Sequence, residues 1–236
     1  DHQINGGGLK FDLFSKDYKH KWSVFTSAQN TDRDSYYGTN QDPNAYGKTT
    51  DLTVMAGTQY AYSFDKFLFM PSDLTAGLEY SFDHLKDEMI ESAFLQNEWK
   101  NKRWSFLIGG RLDKHNMVDH VIFSPRANIR FNPTEDINIR ASYSSGFRAP
   151  QAFDEDMHIS AVGGEVAMIQ RAKDLSEEKS QSLSASVDFY HRFKNGIQLN
   201  FLVEGFYTSL SDVFVLEDIG KDEQGNLIKE RRNGSG

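Results

Sequence analysis

Segments of roughly ten residues that alternate apolar and polar side chains recur along the whole chain, joined by connections that are short, then long, then short. The stretch from Leu52 to Phe64 shows the pattern. Its even positions, Val54, Ala56, Tyr60, Tyr62 and Phe64, are mostly apolar or aromatic, and its odd positions, Thr53, Gly57, Gln59 and Ser63, are mostly small or polar. Successive side chains of a strand point to opposite faces of a sheet, so this period describes a strand between two differently solvated surfaces. A soluble sandwich alternates in the same way, and one segment decides nothing. Repetition through 236 residues, with apolar faces rich in Tyr, Phe and Trp, points to an all-β, antiparallel, up-and-down segment of a transmembrane β-barrel, with lipid outside and water inside.

Hydrophobic residues make up 38% of the chain and mean hydropathy is -0.60. A membrane barrel can have such an average because only every second residue within the lipid-facing band must be apolar. No stretch approaches the ~18 consecutive apolar residues of a spanning helix. The 18 Phe and 10 Tyr suit strands and interfacial girdles. A net charge of -8 argues against nucleic acid, because phosphate binding wants basic patches. The absence of cysteine removes disulfides, thiolate catalysis and zinc–thiolate sites. The chain starts at Asp1 without Met or signal peptide, as expected of a piece of a longer exported protein.

About eleven strands can be traced. Leu9, Phe11 and Leu13 share a face, then Trp22, Val24 and Ala28 after a turn at residues 16–20, and a polar loop covers roughly residues 31–50. Further strands run through 52–64, 74–82, 93–99, 104–113, 121–131 and 137–144. The longest loop, about 148–180, is followed by strands at 182–190, 197–204 and 213–216, with a return beginning at Leu227. Lys194-Asn195-Gly196 is a hairpin signal, and Pro125 within its strand belongs at an edge or a bulge. Turns near 17, 67, 101, 134 and 195 fall on one side and the longer loops on the other, the asymmetry of outer-membrane barrels. Arg111, Arg126, Arg130, Arg140, Glu79, Glu98, Asp188 and Glu204 all fall on polar faces. A lipid-facing Arg at mid-depth would cost ~2–4 kcal/mol, which favours the lumen for them. Exposed apolar faces and unpaired end strands predict that the isolated chain needs detergent or is part of a larger molecule.

The run Phe123-Ser124-Pro125-Arg126, continuing through Asn132-Pro133-Thr134 to Tyr143-Ser144-Ser145-Gly146-Phe147-Arg148-Ala149-Pro150, resembles the TonB-dependent outer-membrane receptors. In that family an S-P-R strand ends in an N-P-T turn, and the next strand finishes in Y-x-x-G-F-R-A-P at the extracellular rim. Leu175-Ser176-Glu177-Glu178-Lys179-Ser180 is similar to the family's L-x-P-E-x-S lead-in, with Glu177 in place of the usual Pro. Asn233-Gly234-Ser235-Gly236 resembles the start of a further strand. The resemblance implies one domain over 1–236 that forms part of a receptor barrel, roughly half of a 22-stranded barrel that closes around a plug. The plug itself and the TonB-binding segment are expected outside this chain. It implies active uptake of a scarce chelate (ferric siderophore, haem or cobalamin) across the bacterial outer membrane, driven through a TonB-type partner, with no cofactor and no enzymatic activity.

Candidate ligand contacts fall in the loops. Tyr36, Tyr37 and Tyr46 can stack on an aromatic chelate or a corrin edge, or simply form a Tyr-rich rim. Arg148 stands where the family's rim arginine stands, as a loop anchor or a ligand contact. Asp154, Glu155, Asp156 and His158 bring carboxylates and imidazole together, but no spacing matches a calcium loop, and a solvated acidic loop is the plainer reading. Asp32, Asp34 and Asp42 with Asn40 and Asn44 likewise lack the D-x-D-x-D-G arrangement, and no resident metal is called for. His115 and His120 lack a third ligand. No serine sits in a nucleophile elbow. Three competing readings remain: a porin-like passive channel, an outer-membrane enzyme, and a glycan-uptake receptor. A channel would lack a plug, an enzyme would need Ser, His and an acid on neighbouring strands, and a glycan receptor is close kin to the importer.

Overall fold

The computed structural model of the chain describes residues 2–36, 46–85, 87–150, 167–221 and 227–234. Thirteen strands run in order: β1 (His2–Phe14), β2 (His20–Tyr36), β3 (Tyr46–Phe67), β4 (Met70–Asp83), β5 (Glu88–Lys100), β6 (Trp104–His115), β7 (Val121–Phe131), β8 (Ile137–Arg148), β9 (Ala167–Arg171), β10 (Glu178–Arg192), β11 (Gln198–Ser211), β12 (Phe214–Lys221) and β13 (Leu227–Asn233). Ten of them form one sheet in the order β1-β2-β3-β4-β5-β6-β7-β8-β10-β11, and every neighbouring pair is antiparallel. This is the expected up-and-down wall. It is open: among the described residues, β1 and β11 are each paired on one side only.

The count exceeds the expected eleven because β9 lies inside the expected loop 148–180 and the return that begins at Leu227 is a strand in its own right, β13. β12 and β13 form an antiparallel hairpin, and β9 pairs with β13 in parallel. These three make a separate sheet in the order β12-β13-β9.

The period-two pattern sets the faces. Leu9, Phe11, Leu78, Leu95, Ile108, Phe123, Leu183 and Phe201 all lie on the apolar face, each more than half exposed. Among the described residues the buried hydrophobic core is no more than Val118, Ile122 and Ala149, beside the buried Pro150, whereas Ser23, Ser92, Ser105, Asp113 and Asp188 on the polar face are buried. An exposed apolar surface of this extent marks contact with lipid rather than water. The register carries the charged positions onto the opposite face: Glu79 pairs with Ser92, Ser92 with Asp113, Arg111 with Ser124, Arg126 with Ser144, and Arg140 with Ser186.

Short turns close one end of the wall. Asn101 Oδ1 accepts the Arg103 and Trp104 amides, each at 2.8 Å. In the β3–β4 turn, Leu68 takes the left-handed conformation, φ 62°. Lys194-Asn195-Gly196 forms a three-residue loop in which Gly196 supplies φ 86°, the type I turn with a left-handed closing glycine. Near these turns the apolar face carries a belt of touching rings. Tyr62 lies 4.5 Å from His20 and from Phe64, Phe69 lies 5.6 Å from Trp99, and Trp104 stacks on Phe131 at 4.1 Å. Rings at one level of the apolar face make an interfacial girdle.

At the other end the strands run on unequally. β3 stays paired with β4 only as far as Thr53↔Asp83, while its pairing with β2 continues to Tyr36↔Tyr46. Residues 46–52 thus rise about 23 Å beyond β4, at ~3.3 Å per residue. Pro125 sits where β7 is about to lose a neighbour. It pairs with Gly110 of β6, but the β7–β8 ladder begins only at Arg126↔Ser144. Its missing N–H therefore leaves no broken rung towards β8.

Candidate ligand-binding rim and lumen

Above Arg126↔Ser144 the wall divides. Residues 121–125 of β7 stay with β6, and residues 145–148 of β8 stay with β10. Val118, Ile122 and Ala149 pack together across the division with Phe147 against them. The Phe123–Pro150 run is thus a complete hairpin, β7 and β8, that ends in the small apolar core of the rim.

Arg148 closes this region from above. Its Nε donates to Glu178 Oε2 at 2.5 Å, and its guanidinium lies 5.1 Å from the centre of the Phe214 ring. One side chain thereby joins the end of β8 to the starts of β10 and β12, with 55% of its own surface exposed. Asn233 makes a second clasp. Its Oδ1 accepts the Ser176 amide at 2.9 Å, and its Nδ2 donates to the Ser176 and Asp212 carbonyls at 3.1 and 2.6 Å.

The residue that sequence reasoning passed over is Glu177. Its side chain has no solvent exposure, and Oε1 is held by His120 Nε2 at 3.0 Å and Lys179 Nζ at 3.2 Å. Burial pushes its carboxyl up, but hydrogen bonds from its own backbone amide, Lys179 and His120 outweigh burial and hold it below the usual glutamate value. The signal was present, as the one departure from the L-x-P-E-x-S pattern. Its partner His120 is 57 residues away in sequence, a distance that no local pattern bridges. His115, nearby at the end of β6, is also buried. Its Nδ1 accepts the Met117 amide at 3.1 Å, and its Nε2 lies 3.8 Å from Glu88. Among the described residues no group of three or more His, Asp or Glu is placed to hold a metal.

Of the other loop candidates, Tyr36 and Tyr46 are direct cross-strand partners at the projecting end of β2 and β3. Tyr37, Asp154, Glu155, Asp156 and His158 lie outside the described residues, as do Asp42, Asn40 and Asn44. Asp32 accepts hydrogen bonds from Thr50 Oγ1 at 2.8 Å and Asn30 Nδ2 at 3.0 Å, contacts that brace the hairpin.

The polar face of the wall is organised around Arg111. Its guanidinium donates to Glu79 Oε2 at 2.5 Å, Asp113 Oδ1 at 2.7 Å and Ser92 Oγ at 2.7 Å, a fork satisfied from three neighbouring strands. Beside it lies a hollow of about 460 Å³ lined by Gln59, Thr75, Phe94, Arg126 and Ser144 among others. Phe94 belongs to the polar face because it lies over Gly77, where an added Cβ would stand 2.4 Å from the ring; Phe25 covers Gly57 in the same way. A glycine opposite an aromatic ring lets that ring lie flat along the strand instead of standing in the lumen.

Comparison with known proteins agrees with this geometry. The profile described as "TonB dependent receptor-like, beta-barrel" matches residues 2–231. The siderophore receptor PirA of Acinetobacter baumannii superposes with a TM-score of 0.71 at 15% identity, over 99% of this chain and 40% of its own. PirA of Pseudomonas aeruginosa gives 0.73 at 13%, over 99% and 44%. A variant of the ferric enterobactin receptor of Pseudomonas aeruginosa, in complex with enterobactin, gives 0.74 at 13%, over 98% and 39%. The chain thus spans about two-fifths of the length of these structures, and at such identities the likeness shows the fold. No curated protein sequence matches it. A two-faced open wall, an aromatic belt, short turns opposite long rim loops and a profile match along nearly the whole length lead to one assignment: this chain belongs to the TonB-dependent receptor β-barrel family.

Proposed function

We propose that this chain is roughly half of the barrel of an active importer in the bacterial outer membrane, and that its cargo is a scarce chelate, a ferric siderophore before haem or cobalamin. The observation that carries the reading is the family match over residues 2–231. The solved structures that share its fold, named as siderophore and ferric enterobactin receptors, favour the siderophore among the chelates. In this reading the remainder of the receptor supplies the other half of the wall, a plug and the contact with a TonB-type energy-transducing protein.

The ligand is met at the rim. Tyr36, Tyr37 and Tyr46 are the aromatic candidates, and Arg148 at the end of β8 with Asp154, Glu155, Asp156 and His158 after it in sequence are the polar ones. The opposition of Tyr36 and Tyr46 supports the first set. The exposed part of Arg148, beside its clasp with Glu178, supports the second. The test is to express the full-length gene in lipid or detergent and to measure binding of a panel of ferric siderophores, haem and cobalamins. Nanomolar binding of one chelate, weakened by Tyr36→Ala or Arg148→Ala, is the expected result. Binding of none, with large ion conductance in planar bilayers, would replace the importer by a passive channel.

A further inference from the structure

The polar face of the wall holds one pairing that sheets ordinarily avoid. Arg130 of β7 and Arg140 of β8 are direct cross-strand partners, and both line a hollow of about 370 Å³. Residues directly opposite on one face have Cβ atoms ~4.5–5.5 Å apart, and like charges there are destabilising.

The carboxylates nearby relieve Arg140 only in part and, among the described residues, leave Arg130 without an ion pair. Arg140 Nε donates to Asn138 Oδ1 at 2.5 Å, and Asp188 lies 4.0 Å from its Nη2. Glu98, in the same hollow, accepts from Ser105 Oγ at 2.7 Å and lies 4.0 Å from Lys100. Glu204 of β11 lines the hollow as well, in line with Arg140 through Ser186, and forms no ion pair with either arginine within 4.0 Å. On Arg130, Nε is buried with no hydrogen-bond partner, and a buried donor left unpaired is costly, more so on a charged group. The hollow is also lined by the small residues Ala141, Ser142, Ser184 and Ser186, which leave room over the two guanidinium groups.

We propose that Arg130 and Arg140 together form a site for one carboxylate group. The arginine fork matches a planar carboxylate through parallel N–H donors. A single carboxylate between the two turns a like-charge opposition into two charge-assisted pairs and gives Arg130 Nε its missing acceptor. It comes from one of two sources: an acidic side chain elsewhere in the same polypeptide, seated against the lumen wall, or a small carboxylate solute in the lumen. The site is independent of what the rim binds, so this inference and the proposed cargo can fail separately.

The test uses the full-length protein in detergent at pH 7 in chloride buffer, with Arg130→Gln, Arg140→Gln and, as control, Arg126→Gln, whose cross-strand partner is Ser144. Arg130→Gln and Arg140→Gln are each expected to lower the apparent melting temperature by about 3 °C or more, and Arg126→Gln by less. Loss of the folded, heat-resistant form in Arg130→Gln but not in Arg126→Gln supports the site in the same way. Succinate then identifies the source. A melting temperature that rises saturably with succinate in the wild type and stays flat in Arg130→Gln identifies a solute. A wild type indifferent to succinate, with both variants destabilised, identifies a carboxylate of the chain. A melting temperature unchanged or raised by Arg130→Gln overturns the proposal, because that is the behaviour of two opposed charges with nothing between them.

Discussion

On the wall, Phe11, Leu78, Ile108 and Phe201 stand more than half exposed, while Ser92, Ser105 and Asp113 on the other face are buried. At the rim the order reverses: Val118, Ile122 and Ala149 are buried, with Phe147 packed against them. The wall is held by backbone ladders and by the solvent on either side, so its side chains need only the right polarity at the right parity. The rim leaves the lipid, loses regular pairing between β7 and β8, and is held by particular side chains, Arg148, Glu177 and Asn233, each joining segments far apart in sequence. Tolerance to substitution should differ accordingly.

The largest effect is expected on the wall's apolar face. Leu78→Arg should cost about 2–4 kcal/mol if that face meets lipid at mid-depth, measured by denaturant unfolding in lipid, whereas Thr75→Arg, on the polar face beside the larger hollow, should leave stability nearly unchanged. Equal effects would remove the two-faced assignment. Next comes Asn233→Ala, which strips the partners of Ser176 and Asp212 at about 1–3 kcal/mol for the groups left unsatisfied. Hydrogen exchange should rise around 175–178 and 212–214 and stay unchanged in β4 to β6. A rise spread evenly over the wall would mean that the rim is not a separate unit.

A smaller effect is expected from acid. Because Glu177 has its carboxyl held below the ordinary glutamate value, its contribution is present above that value and is lost as pH falls through and below it. Protection factors against hydrogen exchange at 116–120 and 175–179 should therefore fall on acidification in the wild type, and those of Glu177→Gln should be equally low at neutral pH with little further change. Indifference of the wild type to acid would remove Glu177 from the contacts that hold the rim. The smallest effect belongs to the exposed pair Lys19 and Asp65 across the turn end: Asp65→Asn should leave the unfolding midpoint unchanged within error, since pairs in open solvent contribute little.

The same contrast explains what could be read from the residues alone. A strand that faces two solvents writes its parity into every second residue, so Leu52 to Phe64 and its neighbours showed their faces and turns before any coordinates. Pro125 could be assigned to an edge or a bulge because a missing donor has few tolerable positions, and it sits where β7 is without its β8 neighbour. β9 could not be found. It is five residues long within a charged loop, and what makes it a strand is a parallel partner about sixty positions later. Glu177 stood out as a departure from the family pattern, yet its meaning depended on His120, which chain folding alone brings near. The opposition of Arg130 and Arg140 needed the register, since the sequence shows only that each lies on a polar face.

The division of the wall at Pro125 has a mechanical side. From Arg126↔Ser144 to Phe131↔Ile139, six residue pairs hold β7 to β8, whereas eleven join β5 to β6 and eleven join β6 to β7. A strip of sheet pulled apart sideways tears along its shortest seam. Strain reaching this barrel from outside would first part β7 from β8, with the small apolar knot above as the stitch that keeps the tear from starting.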